Sequence, residues 1–191
     1  MTREEAQTAV DEVFYLYDQY GKADYIGEPV SQIEHMCQAA QLAEAEGFDE
    51  EVVLAAFFHD IGHLCEHIFP VQSMDGYGTV DHEGLGGKYL REKGFSEKIA
   101  RLVESHVAAK RYLTFKHPDY YNKLSEASKV TLAQQGGVMN ESEAERFEED
   151  HLHSLFIKIR EWDDKAKIEH IPLPPLEVYR QMALQHLLMQ N

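Results

Sequence analysis

The strongest chemical signal in the chain is the pair His59-Asp60, which ends an almost wholly apolar helical stretch, VVLAAFFHDIGH. An imidazole beside a carboxylate is costly to bury there unless both are paired or bound to a metal. His-Asp alone carries little weight. However, His35 precedes it, His82 and His106 follow it, and the doublet Asp163-Asp164 closes the series in REWDDKAK. Imidazoles and carboxylates without a thiolate suit iron, manganese or zinc in a catalytic site and argue against a structural zinc. Asp60 has two oxygens and can bridge two ions. His35, His59 and Asp163 would then complete one position, and His82 with His106 the other, leaving coordination open for substrate, oxygen or water. Adjacent acids on a helix point about 100° apart, so spacing alone leaves Asp164 open as an alternative to Asp163.

Helices must position these groups, because apolar residues recur at three- and four-residue intervals through most of the chain and alternating stretches are scarce. A first helix is expected over about residues 2–20, opened by Thr2. Ser31 and Glu34 have the spacing of a capping box, so a second helix starts there and stops near Gly47, with His35 in its first turn. A third is expected to start at Asp49 and continue without a break through HDIGH, apolar on nearly every side and therefore central. After a loop from about Glu66 to Val80, helices are expected over about 81–93 and 96–115. Shorter pieces follow from Pro118 and through LSEASKVTLAQQ, which Gly136-Gly137 ends. The helical pattern resumes at Asn140 through IREWDDKAK, and a last helix follows the rigid break IPLPP. The fold class is all-α, with residues 1–191 forming one domain and no internal repeat.

Composition narrows the function. A chain of 191 residues that is 43% hydrophobic is large enough for one core around a buried polar site. With 18 basic against 34 acidic residues, a net charge of −16 opposes nucleic acid and anionic membranes as partners. Such a surface ordinarily maintains solubility, and it would also favour a cationic or zwitterionic small ligand. No apolar run approaches the ~20 residues of a membrane span, and MTREEAQTAV lacks the features of a secretion signal, so a cytoplasmic protein is expected. Monomer and homo-oligomer are equally compatible with the chain. Cys37 and Cys65 stand in no metal-binding or redox spacing and read as small buried hydrophobes.

The order His, His-Asp, distant Asp resembles the HD-domain superfamily, and the extra His82 and His106 resemble its two-metal branch. IREWDDKAK is similar to the segment of the mixed-valent diiron oxygenases related to myo-inositol oxygenase, where an aromatic residue precedes the ligand Asp and a Lys follows. That resemblance favours Asp163 and implies two iron ions, Fe(II)/Fe(III), with O2 as co-substrate. DYIGE, IEH, HDIGH, HVAAKRYL, LSEAS, QGG and IREWDDKAK together resemble the phosphonate-cleaving members over nearly the whole chain.

In those members Tyr25 would guard an iron position and Glu28 would meet the substrate's amine. His63 and Lys110 would hold the phosphonate, with Ser128, Thr131 and Gln135 adding hydrogen bonds. By spacing alone, Tyr25, Glu28 and Lys110 read as ordinary packed or solvated side chains, and Ser128, Thr131 and Gln135 as helix polar residues. His67, His117, His151, His153, His170 and His186 match no motif and are expected to be surface or structural.

The resemblance implies cleavage of the C–P bond of (R)-1-hydroxy-2-(trimethylammonio)ethylphosphonate to glycine betaine and phosphate, or the same chemistry on the free amine to give glycine. Ligand chemistry by itself serves an HD phosphohydrolase equally well. A binding module without catalysis would not need the complete ligand set.

Overall fold

The computed structural model describes residues 1–25, 27–72 and 79–190, so Ile26 within YIGE and positions 73–78 of the expected 66–80 loop lie outside the described residues. The described residues form helices and contain no strand ladder, only an isolated bridge between Asp24 and Ser31. In chain order the helices are α1 (Arg3–Tyr20), α2 (Gln32–Ala45), α3 (Glu50–Phe58), α4 (Ile61–Cys65), α5 (His82–Glu92), α6 (Glu97–Lys116), α7 (Pro118–Lys123), α8 (Glu126–Gln134), α9 (Glu141–Glu148), α10 (His153–Lys165) and α11 (Leu176–Met189). None is long and apolar enough to cross a membrane.

Local chemistry sets most of the boundaries. Thr2, Ser31 and Asn140 each accept from the N3 amide while the N3 glutamate reaches back, so α1, α2 and α9 all begin with a capping box. The Asp49 carboxylate accepts from the Val52 amide at 3.0 Å and starts α3. Every residue of α3 from Val52 to Phe58 is buried, as its apolar circumference requires. α2, α6, α10 and α11 pack around it, α1 lies against α11, and α5 joins through α4 and α6.

Phe57 sits at the centre of an aromatic stack, 4.7 Å from the Tyr17 ring and 4.4 Å from the Tyr179 ring. Burying each such side chain stabilises the fold by about 1.5–3 kcal/mol. Cys37 and Cys65 are free and buried in this core, and burial pushes both thiols up to about 12.

Two expected helices are interrupted. The third does not run through HDIGH: α3 ends at Phe58, and Asp60 leaves the helical region (φ −105°, ψ 14°) before α4 begins. The ring of His59 takes the Ala56 carbonyl at 2.8 Å, which makes a side-chain bond available where the helical ladder stops. Directly beyond, a Cβ on Gly62 would lie 1.8 Å from the His82 carbonyl oxygen, so α4 meets the start of α5 at a distance only glycine permits. The pattern from Asn140 is likewise divided into α9 and α10, where the Asp150 carboxylate accepts from the Leu152 amide at 2.9 Å.

Among the six unmatched histidines, His186 has a structural task. It is buried on α11 and its Nε2 accepts from the Ser96 amide at 3.2 Å, tying the last helix to the start of α6. Burial holds its pKa below the usual value. A depressed folded-state pKa means that the unfolded chain takes the proton first, so this stabilisation is complete above about pH 6.5 and is lost as pH falls through the folded value. Thermal melts at decreasing pH should therefore show a loss of stability that His186→Gln, which cannot take the proton, reduces.

A candidate metal centre and its pocket

Asp60, in the turn between α3 and α4, is 2% exposed. Its Oδ2 lies 3.5 Å from Nε2 of both His35 and His59, and its Oδ1 lies 3.5 Å from Nε2 of His82 and 3.4 Å from that of His106. Each carboxylate oxygen thus faces one pair of imidazoles. Asp163 on α10 joins the first pair, with Oδ1 3.4 Å from His35 and 4.0 Å from His59. His35 comes from the first turn of α2, His59 from the end of α3, His82 from the start of α5 and His106 from within α6.

Ring orientation is fixed from outside. Nδ1 of His35, His59 and His106 each meets a main-chain carbonyl, of Ala166, Ala56 and Val103, at 2.9, 2.8 and 2.9 Å. These bonds place the proton on Nδ1 and leave Nε2 as a bare lone pair. Yet Nε2 of His35 stands 3.0 Å from that of His59, and Nε2 of His82 stands 2.9 Å from that of His106. The facing lone pairs of His35 and His59 repel unless a cation lies between or beside them.

Without a metal that cation is a proton. Burial opposes protonation of His35, but Asp163 and Asp60 raise its pKa to about 9, while burial lowers that of His59. In the other pair burial again opposes, Asp60 raises His82, and burial lowers His106 to about 3. Both carboxylates stay ionised despite burial, Asp60 beside His59 and Asp163 beside Arg160. Among the described residues, Oδ2 of Asp60 is buried without a hydrogen-bond partner. Convergent bare Nε2 atoms, an orphaned carboxylate oxygen and the absence of thiolate fit metal ions held by nitrogen and oxygen.

The doublet on α10 is separated by the helix itself. Asp163 points into the cluster. Asp164 lies outside it, its carboxylate accepting from the Tyr120 hydroxyl at 2.6 Å and pairing with Arg160. Trp162 fixes this rotation, since its indole is fully buried, stands edge-on to Phe48 at 5.1 Å and donates to Glu46 at 2.9 Å.

A pocket opens beside the cluster and is lined by Tyr25, Glu28, His63, Lys110, Ser128, Thr131 and Gln135. The Tyr25 ring stacks on His35 at 4.1 Å. Glu28 is held by the Ser125 hydroxyl and the Lys167 ammonium, both at 2.6 Å. Between them Gly27 has φ +77°, and a Cβ there would meet that of Ala127 at 2.9 Å, so this loop lies directly on α8. Lys110 is 3% exposed and donates to Thr131 at 2.9 Å; burial, then Arg160, lowers its pKa to about 7. His63 stacks on His82 at 4.0 Å, and burial lowers its pKa to about 3. Gln135 caps the end of α8 rather than continuing its face, and its side-chain oxygen is buried without a hydrogen-bond partner among the described residues.

Arg160 was not anticipated as a site residue. It is buried in the pocket wall, bonded to Asp163 at 2.7 Å, to the Tyr120 hydroxyl at 2.9 Å and to Ser128 at 3.4 Å. The available signal was its position three and four residues before the acid doublet, where an arginine pairs along a helix. Gln32 and Glu66 also line the pocket.

A family model for the HD domain matches residues 33–147. The chain belongs to the HD-domain family. The matched span includes His35, His59, Asp60, His82 and His106 and ends before Asp163. An uncharacterized protein of Acanthamoeba polyphaga mimivirus is 43% identical, covering 93% of this chain and 81% of the relative. The 1-hydroxy-2-(trimethylamino)ethylphosphonate dioxygenase (glycine-betaine-forming) of Leisingera caerulea is 40% identical over 83% of this chain and 80% of its own. A hydroxymethylphosphonate dioxygenase of Gimesia maris is 35% identical over 89% and 84%. This HD-domain chain therefore shares most of its length with two phosphonate dioxygenases.

Metal analysis separates the adjacent acids. Asp60→Ala should lose most of the bound metal and Asp163→Ala part of it, whereas Asp164→Ala should retain the native content by atomic emission, with circular dichroism checking that each variant folds.

Proposed function

We propose that this HD-domain protein is a diiron dioxygenase that cleaves the C–P bond of (R)-1-hydroxy-2-(trimethylammonio)ethylphosphonate to give glycine betaine and phosphate. The observation that carries the reading is the Asp60-centred pair of imidazole pairs opening onto a pocket with two buried cations, Lys110 and Arg160. Similarity to two phosphonate dioxygenases supports oxygenation over hydrolysis. His35, His59, Asp60 and Asp163 would hold one iron, and Asp60, His82 and His106 the other. When bound, the iron pair supplies the electrons that oxygen needs and polarises the substrate's hydroxyl.

The protein's own part is positioning and electrostatics. Lys110 and Arg160 neutralise the phosphonate, Ser128 and Thr131 supply hydroxyls, and His63 and Gln135 also line the pocket. Glu28 faces the ammonium, and Tyr25 covers the His35 side of the centre. Overall, the C–P bond breaks, C1 becomes a carboxylate, both atoms of O2 enter the products, and one proton is released. A cytoplasmic location suits such a small polar substrate.

A substrate with a free amine, giving glycine and phosphate, is the second reading. It is favoured by the 2.6 Å bond between Glu28 and the primary ammonium of Lys167, and by Tyr25 being the one non-histidine aromatic among the described lining residues. A quaternary ammonium makes no such bond and depends on charge and aromatic faces.

Iron-loaded protein should consume oxygen and release phosphate from the trimethylated hydroxyphosphonate, with a higher kcat/KM than for the free amine. The reverse ranking would select the second reading. No oxygen uptake, with anaerobic hydrolysis of phosphomonoesters, would overturn both in favour of a phosphohydrolase.

Lys110 adds a pH signature. Its ammonium, with a pKa of about 7 when the pocket is empty, is stabilised by a bound phosphonate. Binding of a non-reacting alkylphosphonate should thus weaken above pH 7 by up to about tenfold per unit, relative to Lys110→Arg, which stays charged throughout. Calorimetric titrations of the two proteins over the same pH range measure that difference.

A further inference from the structure

Three of the four clustered imidazoles are oriented by carbonyls, and His82 is the exception. His59 and His106 each use the carbonyl three residues back in their own helices. His82 is the first residue of α5, preceded by Asp81 in the left-handed region (φ 56°, ψ 36°), so it has no preceding helical turn to supply one. Among the described residues, Nδ1 of His82 is buried without a hydrogen-bond partner. Oε2 of Glu83 lies 3.4 Å away, and it too is buried without a hydrogen-bond partner among the described residues. A donor and an acceptor, both orphaned, face each other about 0.5 Å beyond hydrogen-bond length.

We propose that Glu83 is the anionic positioning partner of His82, and that it gives the His82–His106 end of the centre the negative charge which Asp163 gives the other end. The inference rests on the two-ion reading of the centre. A carbonyl supplies only a dipole, whereas a carboxylate supplies a full charge. Such a partner fixes the ring, raises the basicity of Nε2 and strengthens metal binding. The ligand sets show why it is needed at this end. His35 and His59 have a carboxylate of their own, Asp163, besides the shared Asp60, whereas His82 and His106 have only the shared one. His63, stacked on the face of His82, holds the ring flat but gives it no charge. Glu83 therefore makes the two ion positions electrostatically comparable while leaving the second with one protein ligand fewer and more room for a substrate.

Metal-free protein titrated anaerobically with Fe(II), read by isothermal titration calorimetry, tests this without reference to turnover. The native chain should take up two equivalents. Glu83→Ala should bind one of them about 10–100-fold more weakly and leave the other unchanged. Glu83→Gln, which keeps shape and an acceptor but loses the charge, should fall between them, and its iron at this end should have a raised reduction potential. Glu83→Gln also carries the test if the alanine variant does not fold by circular dichroism. Two equivalents bound with native affinity in both variants would overturn the role of Glu83 and leave the two-ion reading standing. A single equivalent in the native chain would overturn both.

Discussion

A carboxylate buried among bare imidazole nitrogens is the constraint on which the rest of the molecule depends. Asp60 is removed from water, and three of its four imidazole neighbours, His35, His59 and His106, have their outer N–H groups already committed to main-chain carbonyls. Neutral imidazoles cannot compensate a buried anion, and the Nε2 lone pairs of His35 and His59, 3.0 Å apart, repel one another. The arrangement is stable only with positive charge inside it, as protons or as metal. Its geometry, one carboxylate oxygen toward each pair, divides that charge into two positions.

Helix ends and breaks do most of the placing. An uninterrupted α3 would direct His59 and Asp60 to positions 100° apart and carry the chain away from α5. The break after Phe58 instead lets both side chains face the cluster, and Gly62 lets α4 lie against the His82 carbonyl. From the opposite side Trp162, wedged between Phe48 and Glu46, sets the rotation of α10 so that Asp163 points inward. The residue after α10 then orients His35 through the Ala166 carbonyl, and the next side chain, Lys167, holds Glu28. One short stretch of chain thus positions a candidate ligand, the ring opposite it and the loop over the pocket.

The all-α class and most helix starts were legible because capping residues and apolar periodicity act locally: Thr2, Ser31 and Asp49 sit where their side chains can take the first free amides. The four histidines and Asp60 were legible because their types are costly to bury for any purpose but pairing or metal binding. What was hidden depends on tertiary geometry. The break at His59 needs the close approach of α5, the choice between Asp163 and Asp164 needs the rotation of α10, and Arg160 in the pocket wall reads in sequence as a helix-surface ion-pair residue. The pairing of His82 with Glu83 was hidden because adjacent helix residues ordinarily diverge, and only the left-handed start of α5 leaves His82 without a carbonyl.

The acidic surface and the two buried cations in the pocket wall act over different distances. A net charge of −16 would repel an anion at long range, but in physiological salt that repulsion is screened beyond about 8 Å. Inside the pocket Lys110 and Arg160 are buried, and charges there interact with little screening. Arg160 is already matched by Asp163 and Asp164, whereas Lys110 has, among the described residues, only the Thr131 hydroxyl as its hydrogen-bonded neighbour, and its burial and then Arg160 make it easy to deprotonate. An incoming anion therefore gains most at Lys110. An acidic exterior is then no obstacle to the proposed substrate, a small anion that carries its own ammonium: such a zwitterion is nearly neutral at a distance and would meet Glu28 and Lys110 only once it is inside.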